Sequence, residues 1–472
     1  MSTPGDAPHG TPARPPASYA AGTSWAPWER TSGVLLVALV SSLTLEWISL
    51  GGFLTRDVKY FHLAAGAFMA SYLWWRRPSR RLAPILSRYR GFYGPWVFYL
   101  LLVAIVGLAH VEPYFDRSEI IRQALYGATS IVVAAFFLHV DGRRVRCILQ
   151  WTGIATVGVA VGGISLALLG QGKNPLALIG EALAKGNPDI VSYRLLRLSF
   201  RSQELVNVGA NLRHKVFSAV MIGLAVALIC RDRSSRWRNR LIVVSAVFGA
   251  LLVMLSLSRS LILCLIIALG LSGIRTFLQR GMAPRQLSAI LATLVVIVVL
   301  AASPVGSLLW VRFAETGSLE ARSAAVVSAA APASVDAVMF GVEASTVEKS
   351  PHNLILDAWL SAGVLGAVSM TLLLFTYLRV WLRQVKRYLT GAPSWVLSLD
   401  QLWVVAVGVI PLVRAVTAGN GFHMNDWVCV GIVFGLVEAN RRAAITRLAG
   451  RVGGRSQARP VADGHVLPGR RP

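Results

Sequence analysis

The chain has 472 residues, 55% hydrophobic and only 15% charged, with 47 Lys and Arg against 22 Asp and Glu. A mean hydropathy of +0.58 excludes an ordinary soluble domain and reads as a polytopic membrane protein. A formal charge of +25 would suggest nucleic acid in a soluble chain. Here the arginines fall in short clusters between apolar stretches of spanning length, so topology explains most of the charge and no nucleic-acid partner is expected.

Residues 1–24 are rich in Pro, Ala, Gly and Ser, with no basic start running into an apolar core. They read as a disordered cytoplasmic tail, drawn to residue 30, and not as a cleavable signal. Twelve apolar stretches follow, near 33–54, 58–75, 92–110, 120–140, 147–169, 214–230, 241–257, 260–275, 287–308, 353–379, 399–416 and 427–439. A span needs roughly 20 residues, which leaves 241–257, 260–275 and 427–439 short. The expected fold is all-α and polytopic: about 12 transmembrane helices over 31–440, with two long periplasmic loops containing short helices, then a basic cytoplasmic tail over 441–472.

Charge tests the alternation. With both termini cytoplasmic, 31 of the 47 Lys and Arg fall on the inner side and 16 on the outer, the bias of the positive-inside rule. Two outer segments are long, about 170–213 and 309–352, and length marks them as carriers of function. They also hold most of the outer cations: Lys173, Lys185, Arg194, Arg197, Arg201, Arg213 and Lys215 in or just after the first, and Arg312, Arg322 and Lys349 in the second. Arginine placed against the topological bias suits an anionic ligand, with lipid headgroups the blander use. Arg194, Arg197 and Arg201 share a face if helical; if extended, Arg197 and Arg201 stay together. Cys147, Cys230, Cys264 and Cys429 lie far apart with no CxxC pair, which suggests neither a disulfide framework nor a metal site.

In KSPHNLILDAWLSAGVLGAV, residues 349–368, Ser350 reads as an N-cap and Pro351 as the first helical residue. His352 and Asn353 then fall in the first turn at the outer boundary, where free N–H groups and the helix dipole favour a phosphate and a neutral, proton-accepting imidazole. Gly363 and Gly366, with Ser361 and Ala362, give the helix a small-residue face for close packing. Asp357, one turn beyond Asn353, is costly inside the boundary unless paired, so a buried structural partner is expected for it.

His352-Asn353, nine residues, Gly363, two residues, Gly366 is similar to the HN-x9-G-x2-G signature of the O-antigen ligase and polymerase superfamily. Those are bacterial enzymes that move lipid-linked glycans at the outer face of the inner membrane. Ser258-Arg259 resembles that family's Ser-Arg step after a span. Arg322 resembles its loop arginine ahead of an amphipathic helix and a GVG-like turn, here Gly341-Val342-Glu343, with Val326 where the family often has leucine. NLRHKVF resembles the HKN entry of related exopolysaccharide polymerases, but Val216 replaces the asparagine, which puts the role of His214 in doubt. The resemblance covers about residues 200–380.

The resemblance implies an undecaprenyl-pyrophosphate-linked glycan donor and a sugar-hydroxyl acceptor, on lipid A core or on another lipid-linked unit. His352 is the candidate base, and Asn353 the residue that orients glycan or imidazole. Arg259, Arg322, Arg213 and Lys215 are the first candidates to stabilise the departing pyrophosphate, with Arg194, Arg197 and Arg201 as a second set. No outer carboxylate pair suggests a divalent metal, so metal-independent, inverting transfer without a cofactor is expected. Arg414, His423, Asn425 and Asp426 read either as an acceptor path or, preferably, as a polar turn; Glu46 reads as a paired residue inside the first span. A secondary transporter and a noncatalytic export subunit are the competing classes, and oligomeric state is not legible.

Overall fold

The computed structural model describes residues 25–45, 49–53, 56–75, 79–109, 115, 117–170, 172, 174–187, 190, 236–255, 258–280, 335–342, 353–391, 402–417 and 422–457. Helix α1, Pro27–Ser42, starts with proline at its first position and ends in a 3-10 turn, Leu43–Leu45. It takes in residues assigned above to the N-terminal tail, and Trp28 and Glu29 are buried. An antiparallel hairpin follows, β1 (Ser49–Phe53) with β2 (Arg56–Lys59), paired Ser49 to Lys59 and Phe53 to Arg56. The expected span at 33–54 is therefore broken near its end, where the Gly51-Gly52 pair disfavours helix.

The remaining described elements are α2 (Tyr60–Trp74), α3 (Ser79–Arg88), α4 (Arg90–Ala109), α5 (Arg117–His139), α6 (Gly142–Gly170), α7 (Pro175–Lys185), α8 (Arg236–Leu255) and α9 (Arg259–Arg280), then α10 (Val335–Phe340), α11 (Leu354–Leu389), α12 (Leu402–Thr417) and α13 (Met424–Gln457). Short helices α7 and α10 lie in the two long segments singled out above. Asn174 caps α7, accepting from the Leu176 and Ala177 N–H groups, and Gly186 closes it at φ +59°. Helix α13 continues to Gln457, past the expected start of the C-terminal tail. Its Ala- and Arg-rich second half has high helix propensity, and Arg441 pairs with Glu438 one turn earlier.

Four helical stretches among the described residues are long and apolar enough to cross a membrane: Arg90–Ala109, Ser118–His139, Arg144–Leu166 and Leu354–Leu389; Ser260–Arg275 and Val405–Thr417 are shorter apolar helices. Of the twelve expected spans, those at 214–230 and 287–308 lie outside the described residues. One face of α4 leaves Leu101, Ile105 and Leu108 exposed at helical spacing, as α8 does with Val244, Phe248 and Leu251. Such faces are untenable in water and suited to lipid. The chain is a membrane-embedded helical protein.

Aromatic and small residues decide the packing. Phe92, Tyr93, Trp96, Tyr377, Trp427 and Phe434 form the centre, and Tyr89 stacks on Phe434 with centroids 3.9 Å apart. Helices α5 and α13 run parallel: Gln123 meets Trp427, Ser130 meets Gly431 and Ala134 meets Gly435. A Cβ at Gly431 would lie 2.6 Å from the Ser130 carbonyl oxygen, and one at Gly435 2.6 Å from that of Ala134. This Gly-x3-Gly pair permits backbone-to-backbone packing that larger side chains would forbid. Helices α4 and α11 run antiparallel, with Phe92 against Tyr377 and Tyr99 bonded to Ser361.

These directions gather the basic helix ends together. Arg144 pairs with Glu29, Arg238 donates to Gln150 at 3.1 Å, and the Arg275 guanidinium lies 4.4 Å from the Tyr388 ring centroid. Tyr89 belongs to the same end; burial pushes its phenol above the usual range, and it donates to the Phe434 carbonyl. The opposite end carries Asn353, Ser258, Arg414 and Asp426.

Candidate functional site

Helix α11 begins one residue after Asn353, whose side-chain oxygen accepts from the Ile355 and Leu356 N–H groups at 3.0 and 3.3 Å. The cap is thus Asn353 and not Ser350, and the first helical residue is Leu354. The shift has a physical reason: asparagine caps as well as serine, and here it satisfies two N–H groups at once. The Asn353 oxygen is committed to the backbone, which leaves its amide nitrogen as the side chain's donor. In the first turn Asp357 is fully buried, and its N–H donates to the Asn353 carbonyl. A carboxylate placed there opposes the positive pole of the helix dipole.

Two turns on, α11 breaks. Ala362 (φ −151°, ψ 23°) and Gly363 (φ 63°, ψ −160°) leave helical geometry before the helix resumes. The Gly363 conformation is essentially confined to glycine. The break is occupied by the end of α10 and the Gly341-Val342 turn. A Cβ at Gly363 would collide with the Met339 carbonyl and lie 2.8 Å from the Phe340 nitrogen; one at Gly341, itself at φ +86°, would lie 2.5 Å from the Leu360 carbonyl oxygen. The Val342 N–H donates to that Leu360 oxygen at 2.8 Å, supplying a partner where the helix stops. Gly366 sits in the next turn, where an added Cβ would meet the Ala358 carbonyl and Ala362. Ser361 and Tyr99, 2.8 Å apart through their hydroxyls, tie the first arm to α4. The small-residue run expected to pack along a continuous helix instead forms a break and its closure.

Buried polar groups surround this end. Ser258, 3% exposed, accepts the Ile262 N–H through its carbonyl and faces the Ser260 hydroxyl at 3.2 Å. Arg259 opens α9 immediately after it. Arg414 and Asp426, both buried, pair at 2.9 Å, and Asp426 also accepts the His423 N–H at 3.0 Å. Gln123 donates to Glu119 and to the Phe422 carbonyl and accepts from the Trp427 indole. In the segment 422–426, read above preferentially as a polar turn, the polar side chains of Asn425 and Asp426 are thus buried in the protein interior.

His352, Arg322, Arg213, Lys215, Arg194, Arg197 and Arg201 lie outside the described residues, as does the side chain of Arg259. Among the described residues the structure brings Asn353, Gly363 and Gly366 onto one broken helix, and no group of three or more His, Cys, Asp or Glu is placed to hold a metal ion. Sequence reasoning missed the Gln123 network, because a glutamine among apolar residues carries no spacing signal. No family model matches the chain, and no curated protein matches it.

Proposed function

We propose that this chain is a membrane glycosyltransferase of the O-antigen ligase type. It passes a glycan from undecaprenyl pyrophosphate to a sugar hydroxyl of lipid A core, at the periplasmic face of the bacterial inner membrane, within a twelve-span topology that keeps both termini cytoplasmic. The observation that carries the reading is the backbone work done by the motif positions. Asn353 caps the helix, Gly363 breaks it in a glycine-only conformation, and Gly366 admits the Ala358 carbonyl. That three fixed positions of the motif each carry a backbone demand is what supports the reading.

In this mechanism the acceptor oxygen attacks the anomeric carbon as its proton passes to His352. The bond to the pyrophosphate oxygen breaks, and undecaprenyl pyrophosphate leaves with the electron pair, which inverts the anomeric centre. Arg259, Arg322, Arg213 and Lys215, with Arg194, Arg197 and Arg201 behind them, stabilise the growing negative charge. The Asn353 amide orients the imidazole or the glycan, since its oxygen is held by the cap.

The test is product formation by purified protein given a lipid-pyrophosphate-linked oligosaccharide, with and without lipid A core. Glycan on the core supports the ligase, and chain growth without it makes the protein a polymerase of the same superfamily. A second reading, secondary transport, gains from the same break, since transporters bind substrate at discontinuous helices. Substrate uptake by proteoliposomes with no glycan transfer would favour it.

A further inference from the structure

At the basic end, far from the broken helix, α1 and α6 enclose an open groove of about 660 Å3 lined by Trp25, Arg30, Val34, Val37, Cys147 and Trp151. Its walls are almost wholly apolar, and Arg30, the one cation among its described lining residues, is exposed and makes no ion pair with any described residue. Neighbouring Arg144 is neutralised by Glu29, and its guanidinium lies 5.7 Å from the Trp25 ring centroid, which fixes one wall. The other wall, Trp151, lies 6.5 Å from Trp237, within the Arg-Trp-Arg-Asn-Arg run that opens α8. An apolar slot thus opens beside cations that exceed their local acids, between tryptophans of the kind that settle at headgroup level.

We propose that this groove holds one acyl chain of an anionic phospholipid, with the lipid phosphate on Arg30 and the α8 arginines Arg236 and Arg240 adding attraction from the Trp151 side. A soluble partner does not fit, because the slot is open and apolar and its wall residue Val34 is 62% exposed, a surface suited to an acyl chain. A zwitterionic lipid would fill the slot but forgo the charge, and basic pockets between helices at such an end select anionic headgroups. The inference is independent of the glycosyl-transfer reading.

Native mass spectrometry of the full-length protein, delipidated in detergent and titrated with phosphatidylglycerol or phosphatidylcholine, tests it. One phosphatidylglycerol should bind preferentially; Arg30→Gln should weaken that binding about fivefold and leave phosphatidylcholine unchanged, and Arg30→Lys should restore it. Val34→Trp, at a groove position that is 62% exposed, should displace either lipid while melting like wild type. Equal binding of the two lipids, an unaffected Arg30→Gln variant, lipid retained by Val34→Trp, or no bound phospholipid at all would each overturn the proposal.

Discussion

Gly363 and Asn353 concentrate the structural demands on the motif, and each demand has a measurable consequence. Gly363→Ala must place a Cβ against the Met339 carbonyl in a conformation that costs about 1–3 kcal/mol for any other residue. We expect it to lower the melting temperature of detergent-purified protein sharply. Gly158→Ala, at a helical glycine with open space around its Cα, should be neutral or stabilising. Asn353→Ala removes the acceptor of two N–H groups and is expected to cost about 1 kcal/mol. Asn353→Asp keeps the cap, so normal melting with lost activity would assign a separate role to the amide. The motif was legible in the sequence because its spacing is fixed, but the cap was misplaced by three residues. Ser350-Pro351 offers an equally good local start, and only the bonds to Ile355 and Leu356 decide between them.

Element packing follows from where backbones approach. Helices α5 and α13 touch through Gly431 and Gly435, and Gly435→Leu would drive a side chain into Ala134 and Phe137. Loss of folded, monodisperse protein is expected, since overpacking of about 1–3 kcal/mol is compounded here by backbone contact. Most described helices coincide with apolar stretches evident in the sequence, because hydrophobic length is a strong signal. The hairpin at 49–59 was not legible: its strands are only five and four residues long, the first continues an apolar run that began as helix, and the second, Arg56–Lys59, is mostly charged. Nor was the break in α11, since glycines three apart on an apolar helix read equally as a packing face. What distinguishes the two is the docking of α10 against Gly363, a contact between segments separated by about twenty residues in the chain.

At the scale of the molecule, charge separates the two ends. Arginines crowd the end defined by Arg144, Arg238, Arg275 and Arg441, while the other end buries a few paired polar groups. Clustered arginine made that division legible, whereas the burial of Arg414 and Asp426 was not, because a pair twelve residues apart across a turn looks like solvated loop. Arg414→Met should destabilise by about 3–5 kcal/mol by stranding a buried carboxylate, and adding Asp426→Leu should recover much of the loss, as thermal unfolding of both variants would show. The glycosyl transfer proposed for this end has His352 as its base. The measurement that tests it most directly is the transfer rate of His352→Ala against wild type, in matched detergent, with saturating lipid-pyrophosphate-linked oligosaccharide. A rate at least about 100-fold lower with an unchanged melting temperature is the expected result, whereas wild-type transfer by the variant would contradict the account.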